Sequence, residues 1–514
     1  MTRQRQPEGA SGASEQRPAP GPSLVSWLEA VVRAQPSRPA VLQGAEIWSY
    51  RELWGRAEEV ARGLLETPSY RPRGRVGLVS RNDAHYLAAY LGILRAGGVV
   101  VPLNYMLKPA ELAAQLVLAG VSDCLLGPVD VGTRETLAAE FGARPIAAVA
   151  RAGSGPLPEV THDWEAVLLP TSGTTGVPKA VVLSHGAMAH AALQLAAAFP
   201  FCREDVTICF LPLFACIYEQ VLPTLFSGGA VDVLPQFDPD AVGRACERAT
   251  TFDAVPTVMA RLLDYADREK LRRLRWVMFA SEPMPPPLLE RWWDALPGIQ
   301  TYEFYGMTEL LMITYATPEC LRSEPRCVGV PFPTSAVDAI DANGRSLPPG
   351  EAGEVVCASP TRMRGYFRDE EATKAAFTAS GAMWTGDLGT FDEAGRLHLT
   401  GRLKDIIISG GLNIAPAEIE AVACRHPMVA AAAVVGIPDT RFGETPVVVA
   451  VPKPGHPLSA RELLAYCRAE LSSFKRPSAA AVVDRLPQTG IGKSAKSELR
   501  EAIMREQVKL ERAY

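Results

Sequence analysis

Residues 168–185 read LLPTSGTTGVPKAVVLSH and place a loop of glycines and hydroxyl residues between two apolar segments. Short apolar segments bounded by turn residues predict buried strands on both sides of the loop. Within the loop, glycines let backbone N–H groups converge on an anion, hydroxyls add donors, and Lys179 adds a positive charge. The segment therefore predicts a phosphate-binding loop, while a hairpin turn rich in small residues remains the simpler interpretation. It is not the usual P-loop, because Gly173 and Gly176 stand closer together than the two glycines of that motif.

Strands and helices alternate on both sides of this loop. A strand at 75–80 is followed by a helix that ends at Gly97-Gly98 and by a strand at 99–103. Residues 218–237 repeat this order of helix, Gly-Gly and strand, which suggests two similar layers, and glycine after a helix lets the chain turn through positive φ. Such alternation predicts mostly parallel sheets with helices on both faces. Further strands are predicted at 206–214 and 274–281, and further helices at 187–198 and 286–296.

The chain changes character at about residue 404. The charged stretch LKDIIISGG (403–411) is a predicted hinge, and the residues after it predict a compact α+β unit. The predicted organisation is a disordered tail over 1–22, an N-terminal domain over 23–403 and a C-terminal domain over 404–514. In the last part, two helices are predicted at 416–425 and 461–471, and three strands are predicted at 429–437, 446–451 and 479–486.

Composition excludes several classes of protein. A chain of 514 residues exceeds what one core usually supports, so two or more domains are expected. The net charge of −5 argues against a general nucleic-acid binder. No apolar segment is long enough to span a bilayer, and the first residues lack the apolar region of a secretory signal. The 10 cysteines form no CxxC pair and predict free thiols in a cytoplasmic protein, and neither His185 nor His190 belongs to a metal-binding motif.

The chain resembles the adenylate-forming superfamily of acyl- and aryl-CoA synthetases, peptide-synthetase adenylation domains and luciferases. The resemblance implies an α/β fold with a large N-terminal domain of layered, mostly parallel sheets, a small mobile α+β C-terminal domain, and an active site between them. It also implies ATP-dependent activation of a carboxylic acid, followed by transfer of the acyl group to CoA or to phosphopantetheine. The motifs that carry the resemblance occur in the family's order: TSGTTGVPK (171–179), YEFYGMTE (302–309), WTGDLG (384–389), GRLKDIIISGGLNIAPAEIE (401–420) and PQTGIGK (487–493).

The resemblance assigns the nucleotide to residues from these motifs. The loop of residues 171–179 would hold the β- and γ-phosphates of ATP. Tyr305 would stack on adenine, Asp387 would accept hydrogen bonds from the ribose hydroxyls, and Arg402 would reach the ribose or a phosphate. Residues 279–284, FASEPM, would line both the nucleotide and the acyl sites. The complete nucleotide-contacting set is Thr171, Ser172, Gly173, Thr174, Thr175, Gly176, Lys179, Ser281, Glu282, Tyr302, Glu303, Tyr305, Gly306, Asp387 and Arg402.

By the same resemblance, three residues would take part in catalysis. A carboxylate that attacks the α-phosphate adds negative charge to the phosphorus oxygens, so catalysis consists mainly of positioning and charge neutralisation. Thr308 would donate a hydrogen bond to the α-phosphate. Glu309 would bind Mg²⁺, a hard cation that prefers oxygen ligands. Lys493 would bridge the carboxylate and the α-phosphate oxygens.

The resemblance implies that the two half-reactions use opposite faces of the C-terminal domain. The domain would rotate before the second half-reaction, the transfer of the acyl group to the thiol. Lys404 matches the family's hinge position. After the rotation, a segment with few side chains would line the tunnel for the thiol. That segment consists of Ser409, Gly410 and Gly411.

Two segments depart from the family's usual pattern. The frequent LPLFH appears here as LPLFA, so that Ala215 replaces a histidine and opens or redirects the acyl pocket. No acidic residue occurs in FLPLFACIY (210–218), where amino-acid-activating relatives hold the substrate amine, so an amino acid is the less expected substrate. Glu282-Pro283 resembles a feature of some fatty acyl-AMP ligases, which leaves the acceptor open between CoA and a carrier protein. The predicted acyl pocket is mostly apolar, which suits an aryl or alkyl acid, and consists of Phe214, Ala215, Tyr218, Ala280, Ser281, Gly306 and Met307.

The sequence therefore predicts an AMP-forming acid–thiol ligase that uses ATP, Mg²⁺ and CoA or phosphopantetheine. The alternatives are an acyl-AMP ligase that loads a carrier protein and a relative recruited to other ATP-activating chemistry. A non-catalytic binding protein is disfavoured, because all the expected catalytic positions are occupied. The predicted partners are a small carboxylic acid and, in the alternative, an acyl carrier protein, for a monomer or homodimer without nucleic-acid or membrane partners.

Overall fold

The computed structural model describes residues 21–153, 155–171, 179–409, 412–439, 441–487 and 496–512. Most of the predicted tail, residues 1–20, lies outside these ranges. Within them, no helix combines the length and the apolar character needed to cross a membrane. All ten cysteines fall inside the described ranges, and none of them forms a disulfide there.

The first part of the N-terminal domain runs from residue 21 to residue 198. Its strands are Pro39–Gln43 (β1), Glu46–Ser49 (β2), Arg75–Val79 (β3), Val99–Leu103 (β4), Asp123–Leu126 (β5), Arg144–Pro145 (β6), Glu165–Thr171 (β7) and Lys179–Ser184 (β8). Its helices are Leu24–Ala34 (α1), Tyr50–Leu65 (α2), Ala84–Arg95 (α3), Pro109–Leu118 (α4), Val131–Phe141 (α5), Ile146–Val149 (α6) and His185–Ala198 (α7).

The second part runs from residue 206 to residue 331. Its strands are Val206–Cys209 (β9), Ala230–Val233 (β10), Thr251–Ala254 (β11), Trp276–Phe279 (β12), Gln300–Tyr305 (β13), Thr314–Ala316 (β14) and Val330–Pro331 (β15). Its helices are Leu213–Cys216 (α8), the π-helix Ile217–Val221, Leu222–Phe226 (α9), Pro239–Ala245 (α10), Pro256–Tyr265 (α11), Arg268–Leu271 (α12), Pro286–Ala295 (α13) and Pro318–Ser323 (α14).

The third part of the domain and the C-terminal domain complete the chain. Up to residue 402 the elements are Ala336–Ile340 (β16), Gly353–Ala358 (β17), Gly365–Tyr366 (β18), Glu370–Ala375 (α15), Met383–Phe391 (β19) and Leu397–Arg402 (β20). The C-terminal elements are the 3₁₀ helix Leu403–Asp405, Ile407–Ser409 (β21), Leu412–Ile414 (β22), Pro416–Cys424 (α16), Val429–Asp439 (β23), Gly443–Pro452 (β24), Ala460–Glu470 (α17), the 3₁₀ helix Ser473–Lys475, Ala479–Val482 (β25), Lys496–Met504 (α18) and Glu511–Arg512 (β26).

Two large sheets form the layers predicted from the alternation. One has the order β18-β8-β7-β4-β3-β5-β6, and its strands from β7 to β6 are parallel. The other has the order β15-β14-β13-β12-β11-β9-β10-β1-β2, with six parallel strands from β13 to β1. The largest hydrophobic cluster joins facing sides of both sheets to helices α2, α3 and α7. The mostly parallel α/β fold is therefore confirmed.

The predicted repeat of helix, Gly-Gly and strand occurs in both sheets. Gly97 after α3 has a φ of +72°, and Gly228 after α9 has a φ of +84°. Both glycines end a helix in the left-handed region that favours glycine, and each is followed by a buried strand of its sheet. The prediction of positive φ at these helix ends is confirmed.

Two features of the N-terminal domain differ from the prediction. The strand expected at 206–214 ends at Cys209, and a helix begins at Leu213. Pro212 precedes that helix, and because proline has no N–H for the ladder it ends strands readily. The sequence analysis also did not foresee the antiparallel sheet β16-β17-β19-β20, which completes the N-terminal domain.

The C-terminal domain has the predicted α+β composition. Its sheet has the order β22-β21-β24-β25-β26, with β23 paired to β24. The last predicted strand, at 479–486, ends earlier, at Val482. The predicted hinge begins with a single 3₁₀ turn, Leu403–Asp405, directly after β20.

Candidate active site

A buried aspartate joins the end of β13 to the antiparallel sheet. Asp387 on β19 accepts a hydrogen bond from Tyr305 Oη at its Oδ2 (2.5 Å), and its Oδ1 lies 3.1 Å from Arg402 Nε. Arg402 stands opposite Asp387 in the register of β19 and β20. Burial and the charge of Asp387 raise the pKa of the Tyr305 hydroxyl, which therefore stays protonated and donates. Each carboxylate oxygen retains a lone pair, so the aspartate can also accept from the two ribose hydroxyls assigned to it.

The turns after β12 and β13 have unusual backbone conformations. A Cβ on Gly306 would lie 1.8 Å from the carbonyl oxygen of Leu311, so only glycine fits there. Leu311 has a φ of +57°, and Ser281, just beyond β12, has a φ of +75°. Side-chain-bearing residues in this region are strained and cluster at functional sites. Ser281 and Gly306 were both predicted site residues, and they lie beyond the carboxyl ends of neighbouring parallel strands, where α/β sheets bind ligands.

The predicted phosphate-binding loop is flanked by paired strands. Strands β7 and β8 are antiparallel, and their last described pair is Thr171 with Lys179. The two strands are therefore arranged as the arms of a hairpin, an arrangement compatible with a phosphate-binding loop between them. Five predicted phosphate ligands lie outside the described residues: Ser172, Gly173, Thr174, Thr175 and Gly176.

A tyrosine that the sequence analysis missed contacts both Glu309 and Lys179. Tyr366 Oη donates a hydrogen bond to Glu309 Oε1 at 2.9 Å. Lys179 Nζ lies 4.7 Å from the centroid of the same ring. Burial and the charge of Glu309 raise the pKa of the Tyr366 hydroxyl. No local sequence pattern marks Tyr366, because its position depends on the pairing of β18 with β8.

The predicted acyl-pocket residues follow β9. Phe214 and Ala215 lie in the short helix α8 and Tyr218 lies in the π-helix, and all three are half-buried. The ring of Phe214 meets Tyr105 edge-on, with centroids 6.2 Å apart. A π-helical turn is rare and is frequent at functional sites. Two further residues of the predicted pocket follow the parallel strands. Ala280 is buried beyond the end of β12, and Met307 packs against the main core.

The expectation of no acidic residue in this region holds only as far as Tyr218. Glu219 is 7% exposed and lies close to Asp253 on β11, which is 1% exposed. Burial, and then the charge of Glu219, raises the pKa of the Tyr218 hydroxyl. Burial, and then the charge of Glu219, raises the pKa of Asp253 well above its ordinary value, so the Asp253 carboxyl stays protonated. The argument against an amine-bearing substrate therefore stays a prediction, although a buried acidic residue follows directly after the segment on which it rests.

Two residues of the YEFYGMTE motif belong to the protein core. The ring of Tyr302 packs 5.1 Å from that of Phe199, and the residue is 8% exposed. Glu303 is 6% exposed, and burial raises the pKa of its carboxyl. Both residues lie on β13, which runs between β12 and β14 in the nine-stranded sheet, and their contact with a nucleotide stays a prediction. Thr308 is half-buried in the turn that precedes Glu309.

Glu282 is held by a neighbouring helix. Its Oε2 accepts a hydrogen bond from Thr257 Oγ1 on α11 at 3.0 Å. The side chain is half-buried and lies one residue after the strained Ser281. A role in nucleotide binding stays a prediction.

Comparison with known proteins connects this geometry to a family. The family model described as AMP-binding enzyme matches residues 28–367, and the model of the AMP-binding enzyme C-terminal domain matches residues 418–493. The chain belongs to the AMP-binding enzyme family. This AMP-binding enzyme is 35% identical to a feruloyl-CoA synthase of Amycolatopsis over 490 residues, which cover 93% of this chain and 98% of the relative.

Solved structures agree with this membership. ATP-bound MatB from Rhodopseudomonas palustris is 31% identical, with a TM-score of 0.86 over 93% of this chain and 98% of the other. O-succinylbenzoate coenzyme A synthetase (MenE) from Bacillus subtilis, in complex with ATP and a magnesium ion, is 29% identical, with a TM-score of 0.84 over 92% and 98%. The predicted superfamily, the fold class and the class of enzyme, an AMP-forming acid–thiol ligase, are confirmed.

The structure describes only some of the residues assigned to the hinge and to the C-terminal domain. Lys404 lies in the 3₁₀ turn after β20, and Ser409 ends β21, where it pairs with Gly443 of β24. Gly410, Gly411 and Lys493 lie outside the described residues. Their roles in this AMP-binding enzyme stay predictions.

Replacing Lys179 with alanine is expected to weaken ATP use while the fold stays intact. A charge-assisted hydrogen bond to a phosphate oxygen is worth about 1.5–3 kcal/mol, so KM for ATP should rise by about one to two orders of magnitude. Steady-state kinetics with ATP as the varied substrate measure this. Lys270→Ala, which removes a lysine paired with Glu247 at the surface, is the control. Equal ATP kinetics for both variants would contradict the role of Lys179.

Proposed function

We propose that this AMP-binding enzyme joins an aromatic monocarboxylic acid to coenzyme A in two steps. In the first, the acid carboxylate attacks the α-phosphate of ATP, an acyl–AMP bond forms and pyrophosphate leaves. In the second, the thiol attacks the acyl carbon and AMP leaves. The observation that carries the proposal is the convergence of two contact sets just beyond β13: Tyr305 with Asp387, and Glu309 with Tyr366.

These residues suit a reaction whose main demand is charge neutralisation. Tyr305 would contact adenine while its hydroxyl donates to Asp387, and Asp387 would orient the ribose. Lys179 would face the β- and γ-phosphates at the mouth of the hairpin. Glu309 would hold Mg²⁺, which when bound would neutralise charge on the phosphate oxygens. A carboxylate beside a triphosphate is repelled unless it binds a cation, so Glu309 fits that role.

An aromatic acid is favoured by the residues of the proposed pocket. Phe214 and Tyr218 provide aromatic surface, and Ala215 leaves room that a larger side chain would fill. Aromatic rings pack edge-on or offset, so a substrate ring can extend the contact already made between Phe214 and Tyr105. The name of the feruloyl-CoA synthase relative supports the same class of acid.

The buried carboxyls beneath Tyr218 favour a substrate with one carboxylate. Glu219 and the protonated Asp253 share a site from which water is largely excluded, so a further negative charge there would be poorly solvated and would lie close to the acidic Glu219 side chain. A hydroxyl or amino group at the far end of the acid would instead find a hydrogen-bond acceptor there. We therefore expect hydroxyl- or amino-substituted aryl acids to be preferred over dicarboxylic acids.

The test is acid-dependent exchange of pyrophosphate into ATP over a panel of acids. Ferulate, 4-aminobenzoate and indoleacetate should support exchange, and 2-succinylbenzoate, a dicarboxylate, should be poor. Thioester formation is then measured with free CoA and with a phosphopantetheinylated carrier protein. Free CoA should be used, and a strict requirement for the carrier would select the alternative acyl-AMP ligase. No exchange with any aromatic acid, alongside exchange with fatty acids, would contradict the substrate class.

Replacing Ala215 with histidine is expected to narrow the pocket and shift the preference toward smaller acids. The imidazole occupies space that the methyl group of alanine leaves open. The ratio of kcat/KM for ferulate to that for benzoate should fall by about tenfold, since one to three kcal/mol is typical for altered fit in an apolar pocket. An unchanged ratio would show that residue 215 does not line the pocket.

A further inference from the structure

Tyr366 stands between two opposite charges of the candidate site. Its hydroxyl donates to Glu309 Oε1 at 2.9 Å, and its ring centroid lies 4.7 Å from Lys179 Nζ. We propose that Tyr366 is a positioning residue for Glu309, the assigned metal ligand, and for Lys179, the assigned phosphate ligand. It keeps the two side chains apart and holds each of them in place. This inference rests on the proposed function, because it concerns the binding of ATP with Mg²⁺.

The backbone around Tyr366 is fixed on two sides. Strand β18 pairs antiparallel with β8, and Tyr366 stands opposite Val181, two residues from Lys179. On the other side, the Met363 N–H donates to the carbonyl oxygen of Glu309 at 2.6 Å. One segment of chain therefore connects the strand that carries the lysine with the turn that carries the carboxylate.

Further contacts fix the backbone at Tyr366. The N–H of Tyr366 donates to Thr373 Oγ1 on α15 at 2.9 Å. Gly365 has a φ of +154°, and a Cβ there would lie 2.7 Å from Thr373 Cγ2, so the close approach of α15 to β18 requires glycine. Because strand pairing and a helix already hold Tyr366, it loses little conformational entropy when it orders Glu309 and Lys179.

A neutral phenol suits this position better than a direct ion pair. If Lys179 and Glu309 formed a direct ion pair, the positive charge of the lysine would be less available to the phosphates. The negative charge of the glutamate would likewise be less available to Mg²⁺. Tyr366 instead offers the electron-rich face of its ring to the ammonium group and its hydroxyl proton to the carboxylate. Both side chains are thus oriented, and both keep their charge for a phosphate and for a cation.

The experiment is calorimetric titration of ATP, without acid substrate, in EDTA and in excess Mg²⁺. The ratio of the two dissociation constants measures how much Mg²⁺ strengthens ATP binding. Tyr366→Phe keeps the ring and loses the hydroxyl, so this ratio should fall by about tenfold while binding in EDTA stays unchanged. Tyr366→Leu loses both contacts, so binding in EDTA should also weaken, by about threefold.

Tyr70→Phe is the matched control, because it removes a buried tyrosine hydroxyl that donates to the Ala96 carbonyl at 3.0 Å, outside the site. It should change neither constant. If Tyr366→Phe leaves the Mg²⁺ effect intact, or weakens binding equally in both buffers, the inference is wrong while the proposed function stands. If the unmodified protein binds no ATP in either buffer, both are wrong.

Discussion

Replacing Lys493 with alanine is expected to slow acyl-adenylate formation by about 10²–10³-fold, the usual loss when one preorganised donor to a developing negative charge is removed. The same variant should still form the thioester when acyl-adenylate is supplied. The reason is that the rotation implied by the resemblance moves Lys493 away from the reacting atoms before the thiol attacks. Pyrophosphate exchange measures the first half-reaction, and consumption of synthetic acyl-adenylate with CoA measures the second.

Lys496→Ala is the control for this prediction. Lys496 is three residues away in the chain, begins α18, and pairs with Glu420 Oε1 at 2.7 Å within the C-terminal domain. Its loss should alter neither half-reaction by more than about twofold, since this half-buried ion pair has no assigned role in either step and such pairs contribute little. An equal loss in both half-reactions for Lys493→Ala would mean a single fixed site and would exclude the rotation.

Replacing Asp387 with asparagine is expected to raise KM for ATP by about 10- to 100-fold, because hydrogen bonds to a charged group are worth about 1.5–3 kcal/mol. The amide keeps the shape of the carboxylate but loses its charge, and its NH₂ group cannot accept from Tyr305 or from a ribose hydroxyl. Arg402 also loses its ion-pair partner. Calorimetric titration with AMP separates the effect on nucleotide binding from any effect on the chemical step.

The same hairpin offers a matched control for Asp387. Asp392 accepts from Arg396 Nε at 2.6 Å and lies 3.2 Å from His398 Nε2, so Asp392→Asn removes a comparable ion pair away from the nucleotide. Its AMP affinity should stay within about twofold of the unmodified protein, because this half-buried pair has no assigned contact with the nucleotide and such pairs contribute little. If Asp392→Asn weakens AMP as much as Asp387→Asn does, the effect belongs to the hairpin and not to contact with ribose.

The parallel layers could be predicted because their signals are local. Buried parallel strands are short apolar segments, and the glycines at 97 and 228 mark helix ends through a conformation that other residues avoid. The antiparallel sheet could not be predicted in this way. Its strands are partly exposed, and the contact of Tyr305 with Asp387 joins positions 82 residues apart.

Glu219 shows a different limit of sequence reasoning. The segment compared with the family's pattern ended at Tyr218, and the residues that follow were predicted only as a helix that precedes Gly228-Gly229. The π-helix Ile217–Val221 adds residues to a turn, so the directions of its side chains differ from those of an α-helix. The burial of Glu219 against Asp253 therefore became apparent only in the structure.

Arg402 ends β20, and the next residue begins the 3₁₀ turn that carries the predicted hinge. The predicted ribose or phosphate ligand and the predicted hinge are thus adjacent in the chain, and this adjacency has a thermodynamic consequence. If bound nucleotide favours one orientation of the C-terminal domain through Asp387 and Arg402, that orientation must strengthen nucleotide binding by the same factor. The affinity for AMP and the equilibrium between the domain orientations would then depend on one coupling free energy. A substitution at Arg402 would therefore change the AMP affinity and the orientation equilibrium together.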